Sequence, residues 1–360
     1  GIAPDGPGNA ITQSTKIRYD RLLSTYPNTK LSASGLDVGL PDNEDGNTET
    51  GHLNLGAGRV IYQDLQRINI AIDDGTFFHN QVLLDAIEYT TKHHSTLHFM
   101  GLIGGGGVHS NTKHLSALID LAAMHNTKNL SLHLFTDGRD SPPSSALDYI
   151  IPIENHLKER NIGKIASVMG RYWSMDRDQR WDRTKKAYDA LTSAKAKFAT
   201  SAEEVIKASY ELGITDEFIE PTLITDSNNV PLSLINDKDA IIFFNFRIDR
   251  PRQLTRAFVS PDDRIFGRQS IGMASAGALN PIGYTFKREK FLKDLFFVTM
   301  TEYSADLYQD GTHTAFPPEV VDFPLSAVIS AGKMKQLKIT ESEKERFVTF
   351  YFNGRREEAY

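Results

Sequence analysis

The chain has 360 residues, 40% hydrophobic and 24% charged, an ordinary globular mix that excludes a disordered or collagen-like chain. It contains no Cys, which excludes disulfides, zinc-thiolate sites and a catalytic thiol. The formal charge of −6 argues against nucleic acid as the main partner, and no apolar run approaches the roughly 18 residues a membrane helix needs.

At roughly 150 residues per domain, two domains are expected. Gly1-Ile2-Ala3-Pro4-Asp5-Gly6 shows no basic-then-apolar leader pattern and no initiator Met. That start, and the stop at Arg355-Arg356-Glu357-Glu358-Ala359-Tyr360 after a strand-like run, fit processing or a partial chain. Up to Arg59 the sequence is rich in Gly, Asn and Asp, and is expected to form ordered loops around a site. Within it, Gly46-Asn47-Thr48-Glu49-Thr50-Gly51-His52 offers hydroxyl nucleophiles or simple helix caps at Thr48 and Thr50, with Glu49 suited to a helix first turn. His52 is open between a ligand and a buried polar group.

From Leu97 the pattern alternates short apolar runs with helical spacing. Residues 97–103 read as a buried strand ended by Gly104–Gly107, followed by a helix with Leu115, Leu118, Leu121 and Ala122 on one face. A second strand runs through Leu130, Leu132 and Leu134. A helix over 144–160 carries Pro152, which should kink or break it. Strands follow at 164–169, 240–245, 295–300 and 347–352. Strand–helix–strand spacing predicts right-handed crossovers and a largely parallel sheet. Boundaries near 62–66 and 295–300 make the middle of the chain an insertion into a domain formed by the two ends.

In open parallel sheets, ligands bind beyond the carboxyl ends of the strands. Here those ends carry His109, then Arg139 and Asp140, then Arg171 and Arg177, then Arg247 and Arg250. A guanidinium presents a planar fork of donors that fits phosphate and carboxylate. Five arginines converging on one edge predict a small, multiply anionic ligand; the alternative is that each merely pairs with a neighbouring Asp and fixes a loop. Lys344 reads as a solvated surface charge.

The segment Gly46 to Arg59 resembles the nucleophile segment of cofactor-independent phosphoglycerate mutases. So do Asp137-Gly138-Arg139-Asp140-Ser141-Pro142-Pro143, residues 170–181, Asn245 to Gln253, Thr299-Met300-Thr301-Glu302-Tyr303 and Phe350-Tyr351-Phe352-Asn353-Gly354. The resemblance spans essentially the whole chain. It implies an α/β fold of two domains. One is an alkaline-phosphatase-like domain carrying metals and nucleophile (1–62 and 298–360, incomplete, with exposed strand edges). The other is an inserted phosphotransferase domain that binds substrate (63–297).

The activity implied is interconversion of 3-phosphoglycerate and 2-phosphoglycerate through a phosphorylated enzyme, in glycolysis and gluconeogenesis. The resemblance further implies two manganese ions, no added 2,3-bisphosphoglycerate, a cytoplasmic monomer, and neither nucleic acid nor membrane as partner. Carried over by position, Thr48 is the nucleophile and a metal ligand, and Asp140 shuttles a proton. His109, Arg139, Asp140, Arg171, Arg177, Arg247, Arg250 and Lys344 bind substrate. Thr48 stands where the family normally has Ser, and Arg355 where Gly is common; Gly105, Asn111 and Phe347 also depart from it. The family's remaining metal ligands have no counterpart in this sequence, so the 360-residue chain alone is expected to be inactive. The alternatives are a phosphoglycerate-binding module without turnover, and a metal-dependent phosphatase of the same superfamily.

Overall fold

In the computed structural model, which describes residues 6–42, 44–261 and 286–360, the apolar runs become the strands of one eight-stranded sheet. The opening residues 1–5 lie outside the described residues. The strands are β1 (Leu97–Ile103), β2 (Leu130–Thr136), β3 (Lys164–Gly170) and β4 (Lys197–Ala199). They continue with β5 (Thr222–Ile224), β6 (Ala240–Phe243), β7 (Phe296–Thr301) and β8 (Thr312–Phe316). Their order is β4-β5-β3-β2-β1-β6-β7-β8, and every pairing is parallel except β3 with β5.

β1 and β2 are buried along their whole length, as expected of strands covered on both faces. The helix Thr112–Met124 crosses from β1 to β2, and the helix Leu147–Glu159 from β2 to β3. Asn111 caps the first, its side chain accepting from the Lys113 amide at 2.9 Å. The second continues through Pro152, which is exposed and so leaves its missing N–H on the solvent side. From β1 the chain builds outward through β2 and β3 in one direction and through β6, β7 and β8 in the other. The topological switch point therefore lies between β1 and β6.

The chain divides into two compact units, Gly1–Gln66 with Glu319–Tyr360, and Arg67–Pro318. The inserted unit extends past residue 297 for a simple reason. β7 pairs with β6 from Ala240↔Phe296 to Phe243↔Thr299, and β8 adds to β7, so both belong to the sheet of the inserted unit.

The first unit contains no strand among its described residues, where exposed strand edges are expected from sequence. The stretch before Arg59, expected as loops, holds the helices Ala10–Gln13, Ile17–Thr25 and Thr48–Ala57. The run 347–352, read as a strand, is instead a π-helical turn over Phe347–Tyr351. β propensity reflects packing on a sheet rather than a backbone preference. With no neighbouring strand, the backbone groups bond within the segment, Phe352 N to Phe347 O at 3.2 Å and Asn353 N to Thr349 O at 2.8 Å. This turn packs on the helix Thr48–Ala57 at Gly56, where a Cβ would stand 2.0 Å from the Phe352 carbonyl oxygen. Leu53, Ile61 and Val321 form the small core beneath it. Arg355 adopts φ +68°, a left-handed conformation that favours Gly.

Candidate active site

The loops that leave β1, β2, β3 and β6 gather at the carboxyl edge of the sheet and are tied to one another by buried polar groups. Arg171, at the end of β3, is buried and donates from Nη1 to Asp137 Oδ1 at 2.5 Å and to Asp140 Oδ2 at 2.6 Å. Asp137 Oδ1 also accepts the amides of Arg139 (3.2 Å) and Asp140 (3.1 Å), which curls the loop after β2 around the carboxylate. Asp137 Oδ2 accepts the Ser141 hydroxyl at 2.9 Å, and Ser141 Oγ accepts the amides of Gly105 (2.9 Å) and Gly106 (3.2 Å). The glycine run is required there: a Cβ on Gly106 would lie 2.4 Å from the Asp140 carbonyl oxygen.

His109 sits between two carboxylates, with Nε2 3.6 Å from Asp140 Oδ2 and Nδ1 3.7 Å from Asp249 Oδ1. Its carbonyl accepts the amides of Phe246 (2.9 Å) and Arg247 (3.3 Å), which joins the β1 and β6 loops across the switch point. Asn245 strengthens the junction, its Oδ1 accepting the Leu102 amide at 2.9 Å, and Tyr303 donates to the Asn245 carbonyl at 2.7 Å.

The other arginines stand further out. Arg177 donates to Asp249 Oδ2 at 2.5 Å, Arg247 Nε lies 3.5 Å from Asp249 Oδ1, and Arg139 donates to Glu217 at 3.4 Å. Arg250 is half-buried and donates to the Met175 carbonyl at 3.2 Å. All three outer partners of the carboxylates, Arg139, Arg177 and Arg247, are about half exposed, so their remaining donors reach solvent.

The charges shift one another in consistent directions. Burial pushes the His109 imidazole down to about 4, helped by Arg171 and Arg247 and opposed by Asp249 and Asp140, so it is neutral at neutral pH. Burial raises Asp140, but the Arg171 hydrogen bond and charge, with His109 and Arg250, outweigh it and hold the carboxyl below its usual range. Asp249 is lowered in the same way, burial being outweighed by Arg177 and Arg247. Burial and then the charges of Arg171, Arg177 and Arg139 lower Arg250, which is the signature of guanidiniums crowded together. Five arginines against Asp137, Asp140, Asp249 and Glu217 leave one positive charge, presented on exposed donors.

Of the residues expected from sequence, His109, Arg139, Asp140, Arg171, Arg177, Arg247 and Arg250 lie together on this edge. Arg171 fixes a loop, whereas the outer arginines pair with a carboxylate and are about half exposed. Thr48 and Lys344 belong to the first unit. Thr48 is the first residue of its helix and partly exposed. Neither Thr48 nor Thr50 caps that helix. Asn47 does, its side chain accepting the Thr50 amide at 2.9 Å. Thr50 is buried, and the half-buried His52 bonds the Thr48 carbonyl through Nδ1 at 2.8 Å. Lys344 is half-buried rather than fully solvated, its Nζ 5.3 Å from the centre of the Phe347 ring.

Asp137, Ser141, Glu217 and Asp249 are the site residues not singled out from sequence. The signal for three of them was the acidic or hydroxyl residue within one to three positions of an arginine at a strand end; Glu217 arrives from a distant turn. No group of three or more His, Cys, Asp or Glu side chains that could hold a metal ion occurs among the described residues. Nor is any described helix long and apolar enough to cross a membrane.

The family described as BPG-independent PGAM N-terminus matches residues 68–305. The chain is 48% identical over 362 residues to the 2,3-bisphosphoglycerate-independent phosphoglycerate mutase of Chloroflexus aggregans, covering 100% of this chain and 66% of that protein. It is 46% identical over 360 residues to the enzyme of that name from Moorella thermoacetica, again with 100% and 66% covered. The chain thus spans about 66% of the length of the curated relatives it matches. Among solved structures it is similar to a Leishmania mexicana phosphoglycerate mutase, whose crystal structures were described at low cobalt concentration. The TM-score is 0.67 at 28% identity, covering 99% of this chain and 63% of that one. With its arginine-bearing sheet edge and a family match over the inserted unit, the chain belongs to the 2,3-bisphosphoglycerate-independent phosphoglycerate mutases and carries their N-terminal domain.

Proposed function

We propose that the chain supplies the phosphoglycerate-binding edge and the phosphoryl acceptor of an enzyme that interconverts 3-phosphoglycerate and 2-phosphoglycerate, without added 2,3-bisphosphoglycerate. The observation that carries this reading is the set of half-exposed arginines held in place around the buried Arg171–Asp137–Asp140 group. A doubly charged phosphate and a carboxylate on one small molecule match several separated forks. The relatives' names support the choice of phosphoglycerate among such molecules.

In this mechanism Arg139, Arg177, Arg247, Arg250 and Lys344 bind the two anionic groups and neutralise charge as the phosphoryl group moves. The P–O bond to the glycerate oxygen breaks and a bond from Thr48 Oγ forms, the Thr48 hydroxyl losing its proton as the freed glycerate oxygen gains one. The ionised Asp140 is suited to take the proton of one glycerate hydroxyl and return it to the other. The glycerate reorients, and the phosphoryl group passes from Thr48 to the second hydroxyl. Metal coordination by Thr48 and two manganese ions belong to the proposal for the full-length form. The described residues do not assemble the rest of a divalent-metal ligand set. Participation in glycolysis and gluconeogenesis, a cytoplasmic location and a monomeric state complete the reading.

The test is a coupled assay of the full-length form with 3-phosphoglycerate and manganese, without 2,3-bisphosphoglycerate. Production of 2-phosphoglycerate that disappears in Thr48→Ala supports the reading. Undiminished turnover by Thr48→Ala refutes the nucleophile assignment.

A further inference from the structure

In the inserted unit two buried polar atoms face each other with no hydrogen-bond partner, His109 Nδ1 and Asp249 Oδ1, 3.7 Å apart. Their surroundings restrict what each can do. The backbone of His109 is held by the Phe246 and Arg247 amides, at the foot of the loop that carries Asp249. Asp249 Oδ2 is occupied by Arg177 at 2.5 Å, and Arg247 Nε approaches Oδ1 only to 3.5 Å. On the far side of the ring, Nε2 lies 3.6 Å from Asp140 Oδ2, which already accepts from Arg171 at 2.6 Å.

A neutral imidazole has one N–H and one lone pair, and the partner of one nitrogen decides the state of the other. Placing the proton on Nδ1 lets the two unpartnered atoms satisfy each other with a small closure of the loop. Placing it on Nε2 instead leaves both atoms buried without partners. We propose that Asp249 is a positioning residue that holds His109 in its Nδ1–H tautomer, leaving Nε2 as a hydrogen-bond acceptor beside Asp140. The ring is neutral at neutral pH, for the reasons of burial and neighbouring arginines given above, so the tautomer is a real choice. An acceptor at Nε2 takes a hydrogen bond from a ligand hydroxyl, or from Asp140 when that carboxyl carries a proton. It rejects a bare phosphate oxygen, which only an N–H would bind. His109 therefore selects the hydroxyl side of a ligand while the arginines take its anionic side. The use of this acceptor for phosphoglycerate rests on the proposed function; the tautomer does not.

The experiment is long-range proton–nitrogen spectroscopy of the unliganded 360-residue chain with labelled histidine, the His109 signals among the 11 histidines being identified by their loss in His109→Gln. The expected result is a pyrrole-type Nδ1 and a pyridine-type Nε2 in the wild type. Asp249→Asn should abolish that preference, and Asp249→Glu should restore it at least in part. A pyridine-type Nδ1 in the wild type overturns the proposal, as does an unchanged tautomer in Asp249→Asn with a native backbone amide spectrum. If Asp249→Asn does not fold, the wild-type tautomer and Asp249→Glu decide alone. Absence of 3-phosphoglycerate binding to the wild type, measured separately, counts against the proposed function, because the tautomer is read without ligand.

Discussion

Arg171 and Asp137 are both buried and joined by a 2.5 Å contact, and the loop after β2 is wrapped around that pair. Removing one partner of a buried ion pair leaves the other charge uncompensated, which costs about 3–5 kcal/mol. Arg171→Met should therefore lower the unfolding free energy by that amount in urea denaturation, and loosen the Asp137–Ser141 loop. A loss below about 1 kcal/mol, the range of an exposed pair, would show that Arg171 does not organise the loop.

Asp140 accepts from Arg171 on one oxygen, and its ionised state suits proton transfer. Asp140→Asn keeps the shape but removes the base. In the full-length form kcat should fall about 10²- to 10⁴-fold with a smaller change in KM. Steady-state kinetics with 3-phosphoglycerate decide it; an unchanged kcat assigns the proton to another group.

The two residues at the start of the helix Thr48–Ala57 should separate by experiment. Asn47 is the cap, so Asn47→Ala should cost about 1 kcal/mol of stability while the Thr48 hydroxyl remains. Thr48→Ser keeps the hydroxyl and frees χ1, and should preserve or raise activity of the full-length form, whereas Thr48→Ala should abolish it. Denaturation and assay of the three variants together test both roles.

Acid should destabilise the inserted unit before its carboxylates titrate. Burial depresses His109 to about 4 and His114 to about 3, against 6.5 for exposed imidazoles, and His133 is also lowered well below 6.5 by burial and by His98. Below pH 6.5 the unfolded chain binds protons that the folded chain does not, so stability falls as pH drops from 6.5 toward 4. Urea midpoints at pH 7.5, 6 and 5 should decrease in that order. A midpoint that holds steady or rises would mean that these histidines are charged in the folded state.

Much of the inserted unit is legible in the sequence because fully buried parallel strands are written as unbroken apolar runs, such as Leu97–Ile103, ended by Gly or Asp. The three-residue strands at Lys197 and Thr222 are too short to leave such a pattern. The run Phe347–Phe352 misleads for a different reason: Val348, Thr349 and their aromatic neighbours suit a sheet, but no strand lies beside them among the described residues. The arginines of the site are visible as types at strand ends. Their division of labour is not, because Arg171 differs from Arg177 through burial and through its carboxylate partners, which the fold supplies. Glu217 was invisible, since a turn far along the chain brings it to Arg139.

The most direct test of the central claim is calorimetric titration of 3-phosphoglycerate into the 360-residue chain, alongside Arg250→Ala and Arg177→Ala. Saturable binding at one site is expected, weakened at least tenfold in each variant, about 1.4 kcal/mol, and weakened further by added salt. No saturable binding to the wild type, or equal binding by both variants, would contradict it.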